Sequence, residues 1–264
     1  MKYKLVALDL DGTILNSNNI ISNYTVEFLK KLNNTGIKIV IATGRSYSSL
    51  RHKISMLELD HPVICYNGAM IRDGKSHEII HTSAVKESIA RELIQISRRE
   101  SIHLHGFLNG DFHYENDTEF SSFYRTLSGL PGVKCNFDNY SSVAFTKAMF
   151  ISNPERLQAI EPELREKFGN QCYIAYSKPT FLEIMDISAS KSNALRKIAQ
   201  EFNIKRDEII AFGDGLNDED MLDFAGKGVV MLNGYSSLKE KFESTMFSND
   251  EDGVAKYLEA LINE

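Results

Sequence analysis

The chain has 264 residues, 42% hydrophobic and 25% charged, a globular composition with length for one large domain or two smaller ones. A net charge of -6 argues against a generalised nucleic-acid surface, which needs a basic stripe, so an anionic substrate must be drawn in by local charges or a metal. No apolar run approaches the roughly 20 residues of a membrane span, no signal-peptide pattern is expected with acids present by Asp9, and three scattered cysteines, Cys65, Cys135 and Cys172, read as free thiols of a reducing cytoplasm.

Residues 4–8 form a short apolar run, the pattern of a buried strand, and lead into Asp9-Leu10-Asp11-Gly12-Thr13. In an extended chain, side chains two apart share one face, so Asp9 and Asp11 are expected to converge. Two like charges that close call for a cation or a shared proton. Gly12 lets the chain turn away sharply. Ser22 can cap a helix carrying Val26, Phe28, Leu29 and Leu32, with Gly36 at its end. Residues 37–42 read as a second strand ending in Thr43-Gly44-Arg45, and a helix follows from Ser46. Residues 62–66 read as a third strand ending in Asn67-Gly68, with a hairpin turn at Asp73-Gly74.

The middle has a different texture. A helix over 85–97 precedes a strand over 102–108, then an aromatic-rich polar stretch with Phe112, Tyr114, Phe120, Phe123 and Tyr124. A helix over 154–168 and strands over 172–176 and 180–185 follow. The βα alternation then resumes: Lys191 opens a helix with Ala194, Leu195, Ile198 and Phe202 inward, 208–212 is a strand ending in Gly213-Asp214, and 218–224, 228–232 and 252–262 read as helix, strand and helix. Alternating strands and helices argue for a parallel sheet covered on both faces. The expected division is an α/β core of residues 1–82 and 187–264 with an α+β domain, 83–186, inserted in it.

Four polar clusters fall at the expected C-terminal ends of core strands: Asp9/Asp11, Thr43-Gly44-Arg45, Asn67-Gly68 and Asp214 to Asp218. That edge is where open parallel sheets bind ligands. Asp9, Asp11 and Asp214 could surround a hard cation, and oxygen ligands suit Mg²⁺. Phosphoryl transfer needs positioning and charge stabilisation above all, and a shielded aspartate can act as nucleophile. Thr43 offers a hydroxyl and backbone N–H donors to phosphate oxygens, Lys191 a point charge to phosphate or Asp9, and Asp11 an acid or base for the leaving oxygen and for water. Outside these clusters, His103 and His105 alternate on one strand. They read as a half-exposed sheet face in preference to a zinc or copper site, and Arg98-Arg99 reads as a solvated helix end.

D-L-D-G-T, I-A-T-G-R, S-K-S-N-A-L and G-D-G-L-N-D-E-D-M-L resemble, in order and spacing, the four motifs of the haloacid dehalogenase superfamily of phosphatases. Y-N-G-A, G-V-V-M-L-N and N-D-E-D-G-V-A are similar to its Cof-type, or IIB, branch. Ser188-Ala189-Ser190 stand where that branch often has a glycine before the lysine, and Gly234 where an alanine is common. The resemblance implies a Rossmann-like parallel-sheet core with an inserted α+β cap of the C2B type that closes over substrate and selects the leaving group. It implies Asp9 as nucleophile and metal ligand, Asp11 as general acid/base binding metal through its carbonyl, and Thr43 and Lys191 holding the phosphate. Asp214 is then a direct Mg²⁺ ligand and Asp218 supports the metal through its water shell. Leu10, Gly12, Gly44, Arg45, Asn67 and Asn217 line the substrate and its phosphate. The implied activity is a cytoplasmic Mg²⁺-dependent phosphatase of small phosphorylated metabolites, sugar phosphates first, working through an aspartyl-phosphate. Its expected state is a monomer or weak homodimer, without nucleic-acid or membrane partners. The alternatives are a phosphomutase acting on sugar phosphates and a non-catalytic protein that binds phosphometabolites.

Overall fold

The computed structural model describes residues 2–263. It begins with β1 (Leu5–Leu8), α1 (Asn23–Asn34), β2 (Lys38–Ala42), α2 (Tyr47–Ile54), β3 (Val63–Cys65), β4 (Met70–Arg72) and β5 (Ile79–Thr82). The middle holds α3 (Glu87–Glu100), β6 (His103–Leu108), β7 (Asp111–Tyr114), α4 (Glu119–Ser128), β8 (Val133–Lys134), β9 (Ala148–Ile151), α5 (Pro154–Phe168), β10 (Cys172–Lys178) and β11 (Phe181–Asp186). The chain closes with α6 (Lys191–Glu201), β12 (Ile209–Gly213), α7 (Glu219–Phe224), β13 (Lys227–Val230), α8 (Ser236–Lys239), β14 (Glu243–Ser244) and α9 (Gly253–Asn263). The contacts gather into two compact units. One comprises the residues up to Arg45, Leu50–His81 and the residues from Ser190 on; the other comprises Ser46–Ser49 and Thr82–Ala189.

The first unit is built on an eight-stranded sheet in the order β14-β13-β12-β1-β2-β3-β4-β5. Strands from β14 through β3 run parallel, and β4 turns back antiparallel on β3. The central strand β1 reads Leu-Val-Ala-Leu with every residue buried, the composition of a strand covered on both faces. Burying each Val or Leu side chain contributes about 1.5–3 kcal/mol. Leu5, Ala7, Val40, Ala42, Ile209 and Ala211 pack on one side against Ala194, Leu195 and Ile198 of α6. Ser22 caps α1 as expected, its hydroxyl accepting from the Thr25 N–H at 3.0 Å. The Asp73-Gly74 turn is wider than a two-residue hairpin: Asp73 N–H closes it on the Glu78 carbonyl, six residues being spanned because the Asp73 carboxylate first wraps the Lys75 and Ser76 N–H groups.

The second unit is a six-stranded sheet, β10-β11-β9-β6-β7-β8, antiparallel except at the β7–β8 edge. One face packs Leu104, Phe150, Leu182 and Ile184 on Ile89 and Leu93 of α3 and on Leu157, Ile160 and Leu164 of α5. The opposite face carries Met149, Ile151 and Phe181, covered by Phe120 and Tyr124 of α4. Here the structure corrects the sequence reading. The aromatic stretch contains β7 and α4, and α4 roofs the sheet. His103 and His105 therefore lie buried instead of half-exposed, His105 at 0% exposure with its ring centroid 4.3 Å from that of Tyr124. Arg98 is likewise drawn into ion pairs with Glu115 and Asp138.

Candidate active site

The register of the first sheet sets three strand ends level. Leu8 pairs with Phe212 on one side and Ile41 on the other, and the Asp9 N–H continues the ladder onto the Phe212 carbonyl at 3.0 Å. One step further out lie Asp9, Ala42 and Gly213, and the next residues on the two flanking strands are Thr43 and Asp214. The chain then turns at Leu10, whose carbonyl accepts from Ile14 and Leu15. Gly12 sits at φ +73°, and a Cβ there would lie 2.4 Å from the Asp214 Oδ2, so only glycine permits this close approach.

Lys191 enters from α6. Ser190 caps that helix by accepting from the Asn193 N–H at 3.1 Å, which fixes Lys191 as the first helical residue. Gly68, at φ +99°, makes room: a Cβ would meet the Ser190 carbonyl oxygen at 2.0 Å. The Lys191 ammonium is fully buried and donates to Asp9 Oδ1 and Asp218 Oδ1, each at 2.5 Å. The other Asp218 oxygen accepts the N–H groups of Asp214 and Gly215 at 3.0 and 2.9 Å. Asp214 accepts from the Thr13 hydroxyl at 3.0 Å. Asp9, Asp214 and Asp218 each present an oxygen within 4.8 Å of the others, the one such group of three among the described residues.

The electrostatics follow. Burial, then the neighbouring Asp218 and, more weakly, Asp214, hold the Asp9 carboxyl well above its ordinary range against the pull of Lys191. Asp214 is pushed up to about 6 by burial and by Asp218. Burial would lower the pKa of Lys191, but Asp9 and Asp218 outweigh it and raise it. Three carboxylates thus crowd one ammonium. A hard divalent cation among them would relieve that crowding, and an all-oxygen donor set is the one Mg²⁺ takes.

The remaining expected residues are placed less uniformly. Asp11 is outside the carboxylate group. The turn at Leu10 carries it away from Asp9, and Arg45 grips it instead, Nε to Oδ2 at 2.7 Å and Nη2 to Oδ1 at 2.5 Å. Thr43 is buried, its Oγ1 accepting from the Arg45 N–H at 3.1 Å. Its own N–H is committed to the Ile64 carbonyl at 2.9 Å, so Thr43 offers a hydroxyl but not the backbone donor that was expected of it. Gly44 lies against Asn67, where a Cβ would be 3.0 Å from Oδ1, and Asn217 donates to that same Oδ1 at 3.0 Å. Tyr66 and Asn67 both adopt φ near +50°, strain held at the end of β3. The Leu10 side chain is core, leaving only its backbone to face a ligand. The sequence reading gave no role to Thr13, Asn19, Ser190 or Asn233. Thr13 and Ser190 had a signal, a hydroxyl beside a motif aspartate and one before a helix start. Asn233, which donates to the Gly12 carbonyl at 2.8 Å across 221 residues, closes the G-V-V-M-L-N stretch, but nothing local points to that partner.

Comparison with known proteins decides the family. A model of the haloacid dehalogenase-like hydrolases matches residues 6–258. The chain belongs to that family. Within it, this haloacid dehalogenase-like hydrolase falls in the Cof-type branch and is a phosphatase. It is 30% identical over 270 residues to the putative phosphatase YxeH of Bacillus subtilis, covering 98% of each chain. It is 31% identical to the 5-amino-6-(5-phospho-D-ribitylamino)uracil phosphatase YitU of the same organism, covering 97% of each. The crystal structure of TM0651 from Thermotoga maritima superposes with a TM-score of 0.90 at 30% identity, over 98% of this chain and 97% of that one. Among the described residues of the hydrolase, no helix is long and apolar enough to cross a membrane.

Proposed function

We propose that this hydrolase is a Mg²⁺-dependent phosphatase of small phosphorylated metabolites, sugar and polyol phosphates first, acting through an aspartyl-phosphate on Asp9. The observation that carries the reading is the buried ammonium of Lys191 set between Asp9 and Asp218, with Asp214 beside them. A fixed charge there has little structural purpose that an apolar side chain would not serve better. It does suit a site where a phosphoryl group must be held against carboxylates. The relative that acts on a phosphoribityl compound supports a polyol phosphate as substrate.

Asp9 and Asp214 would hold Mg²⁺ directly, with the Asp11 carbonyl beside them and Asp218 behind. When bound, the ion supplies positive charge against the phosphoryl oxygens. The chain's residues do the rest. An Asp9 oxygen attacks phosphorus while the bond to the leaving oxygen breaks, and Asp11 gives that oxygen its proton. Water then attacks the phosphoryl group, Asp11 takes the water's proton, and the Asp9–phosphorus bond breaks to release inorganic phosphate. Lys191 and the Thr43 hydroxyl hold the transferring oxygens throughout.

Phosphate release from a panel of sugar, polyol, nucleotide and cofactor phosphates tests this. Wild type is expected to release phosphate with Mg²⁺ and to stop with a chelator, and Asp9→Asn is expected to lose at least about 10³-fold. Release that persists in Asp9→Asn would sink the covalent mechanism, and release indifferent to the chelator would sink the metal.

A further inference from the structure

Asp11 poses a geometric problem. Both of its carboxylate oxygens accept from one guanidinium, Oδ2 from Arg45 Nε and Oδ1 from Arg45 Nη2. A carboxyl that gives a proton to a leaving oxygen must carry that proton on one of these two atoms. In the doubly gripped state each oxygen keeps only the lone pair that faces away from the guanidinium, because a carboxyl oxygen cannot hold a proton and face an N–H donor along the same direction.

The two contacts are not equivalent. Nη2 has a second acceptor already in place, the Asn19 Oδ1 at 3.0 Å. If Oδ1 turns to carry a proton, Nη2 keeps that partner and is not stranded. Nε stays on Oδ2 and still fixes the plane of the carboxyl group. The backbone supports the same arrangement: the Arg45 N–H is tied to the Thr43 Oγ1, so the arginine is anchored to the strand end that carries the phosphate-facing hydroxyl. The contact with Asp11 is also the main influence raising the Arg45 pKa, against burial that would lower it, so the guanidinium keeps its charge here.

We infer that Arg45 is a positioning residue for Asp11, its Nε orienting the carboxyl group through Oδ2 while Oδ1 is released to handle the proton and Asn19 takes up the freed arm. This rests on Asp11 being the acid of the proposed reaction. It assigns to Arg45 and Asn19 a role distinct from lining the pocket. Lysine cannot replace the arginine, because the function depends on a rigid fork with two separately directed donors.

The test is dependence on the leaving group. A nitrophenolate departs readily without a proton, whereas a sugar or alkyl alkoxide needs one. The quantity read is kcat/KM, which reports on transfer to Asp9, for p-nitrophenyl phosphate divided by that for an alkyl phosphate. In Asp11→Asn this ratio is expected to rise by 10²-fold or more, within the usual range for general acid catalysis. In Arg45→Ala and Arg45→Lys it is expected to rise at least about tenfold, and in Asn19→Ala in the same direction by less. If Asp11→Asn raises the ratio and both Arg45 variants lower the two substrates equally, Arg45 only binds phosphate and the inference is overturned while the reaction stands. If Asp11→Asn leaves the ratio unchanged, Asp11 is not the acid, and the reading and the inference fall together. Turnover of p-nitrophenyl phosphate by each variant shows that it is folded.

Discussion

Each unit of this hydrolase buries one lysine, and the two lysines live in opposite circumstances. In the second unit Lys147 and Glu183 make an ion pair at 3.0 Å, and Ser177 donates to the same Glu183 oxygen at 2.8 Å. Ammonium and carboxylate balance there. In the first unit Lys191 meets Asp9 and Asp218 at 2.5 Å, with Asp214 nearby, so carboxylates outnumber the cation. Burial of charge is common to both. The surplus is not, and a surplus of negative charge is what a divalent cation and a phosphoryl group can complete. Charge imbalance, more than burial, separates the reactive centre from the structural pair.

The strongest way to break that comparison is to remove each ammonium in turn. Lys191→Met leaves Asp9 and Asp218 facing each other without their shared cation. The phosphatase rate is expected to fall at least about 10²–10³-fold, as when a fixed charge-stabilising donor is lost. The fold is expected to lose about 3–5 kcal/mol, the usual cost of orphaning a buried charge. Added Mg²⁺ should restore part of that stability in urea titrations, because it can take the ammonium's place among the carboxylates. Lys147→Met is expected to lose a similar amount with no Mg²⁺ restoration. Equal Mg²⁺ effects on the two variants would show that the surplus has no special consequence.

A double substitution sharpens the same point. In the second unit, Lys147→Met with Glu183→Leu removes a balanced pair and leaves no orphan, so stability should return to within about 1 kcal/mol of wild type or exceed it. A double variant as unstable as Lys147→Met alone would mean that the pair is held by something other than its own neutrality.

Much of this contrast was legible beforehand, and the gaps have physical reasons. The core strands announced themselves because apolar runs such as 37–42 end abruptly in polar residues, and a parallel ladder sets such ends side by side. Ser22 and Lys191 marked helix starts through local capping chemistry, which depends on a few neighbouring residues. The β9 strand, Ala148–Ile151, was missed because a run of only four apolar residues shows neither the two-residue nor the 3.6-residue period. The α4 helix was missed because its aromatics, Phe120, Phe123 and Tyr124, favour strands by propensity, and tertiary packing overrides that. Missing α4 led directly to the wrong exposure for the two histidines beneath it. The Arg45 grip on Asp11 was out of reach for another reason: beyond a turn, periodicity no longer says which way a side chain points.

Those histidines give the mildest test of how the second unit differs from the first. The first is built to hold charge; the second holds imidazoles that must stay neutral. His105 is wholly buried, and neither of its ring nitrogens has a hydrogen-bond partner. Burial first, then His103 and Lys147, holds its pKa well below 6.5. His103, whose Nδ1 faces the Thr118 hydroxyl at 3.2 Å, is pushed down to about 4 by burial and, secondarily, by Arg125. A base whose folded pKa is depressed takes up its proton more easily when unfolded. Stability is therefore complete above about pH 6.5 and falls as the pH drops toward 4, by about 3 kcal/mol from His103 alone. His105→Phe replaces an imidazole among aromatic rings with another ring and removes one of these protons. Over pH 6.5 to 4 the variant's urea stability is expected to fall less steeply than wild type, by up to about 1.4 kcal/mol per pH unit. At pH 7.5 the change should be small, since the ring lost had no polar partner to leave behind. Parallel slopes in the two proteins would mean that acid reaches the fold elsewhere, and the surplus carboxylates of the first unit would be the next place to look.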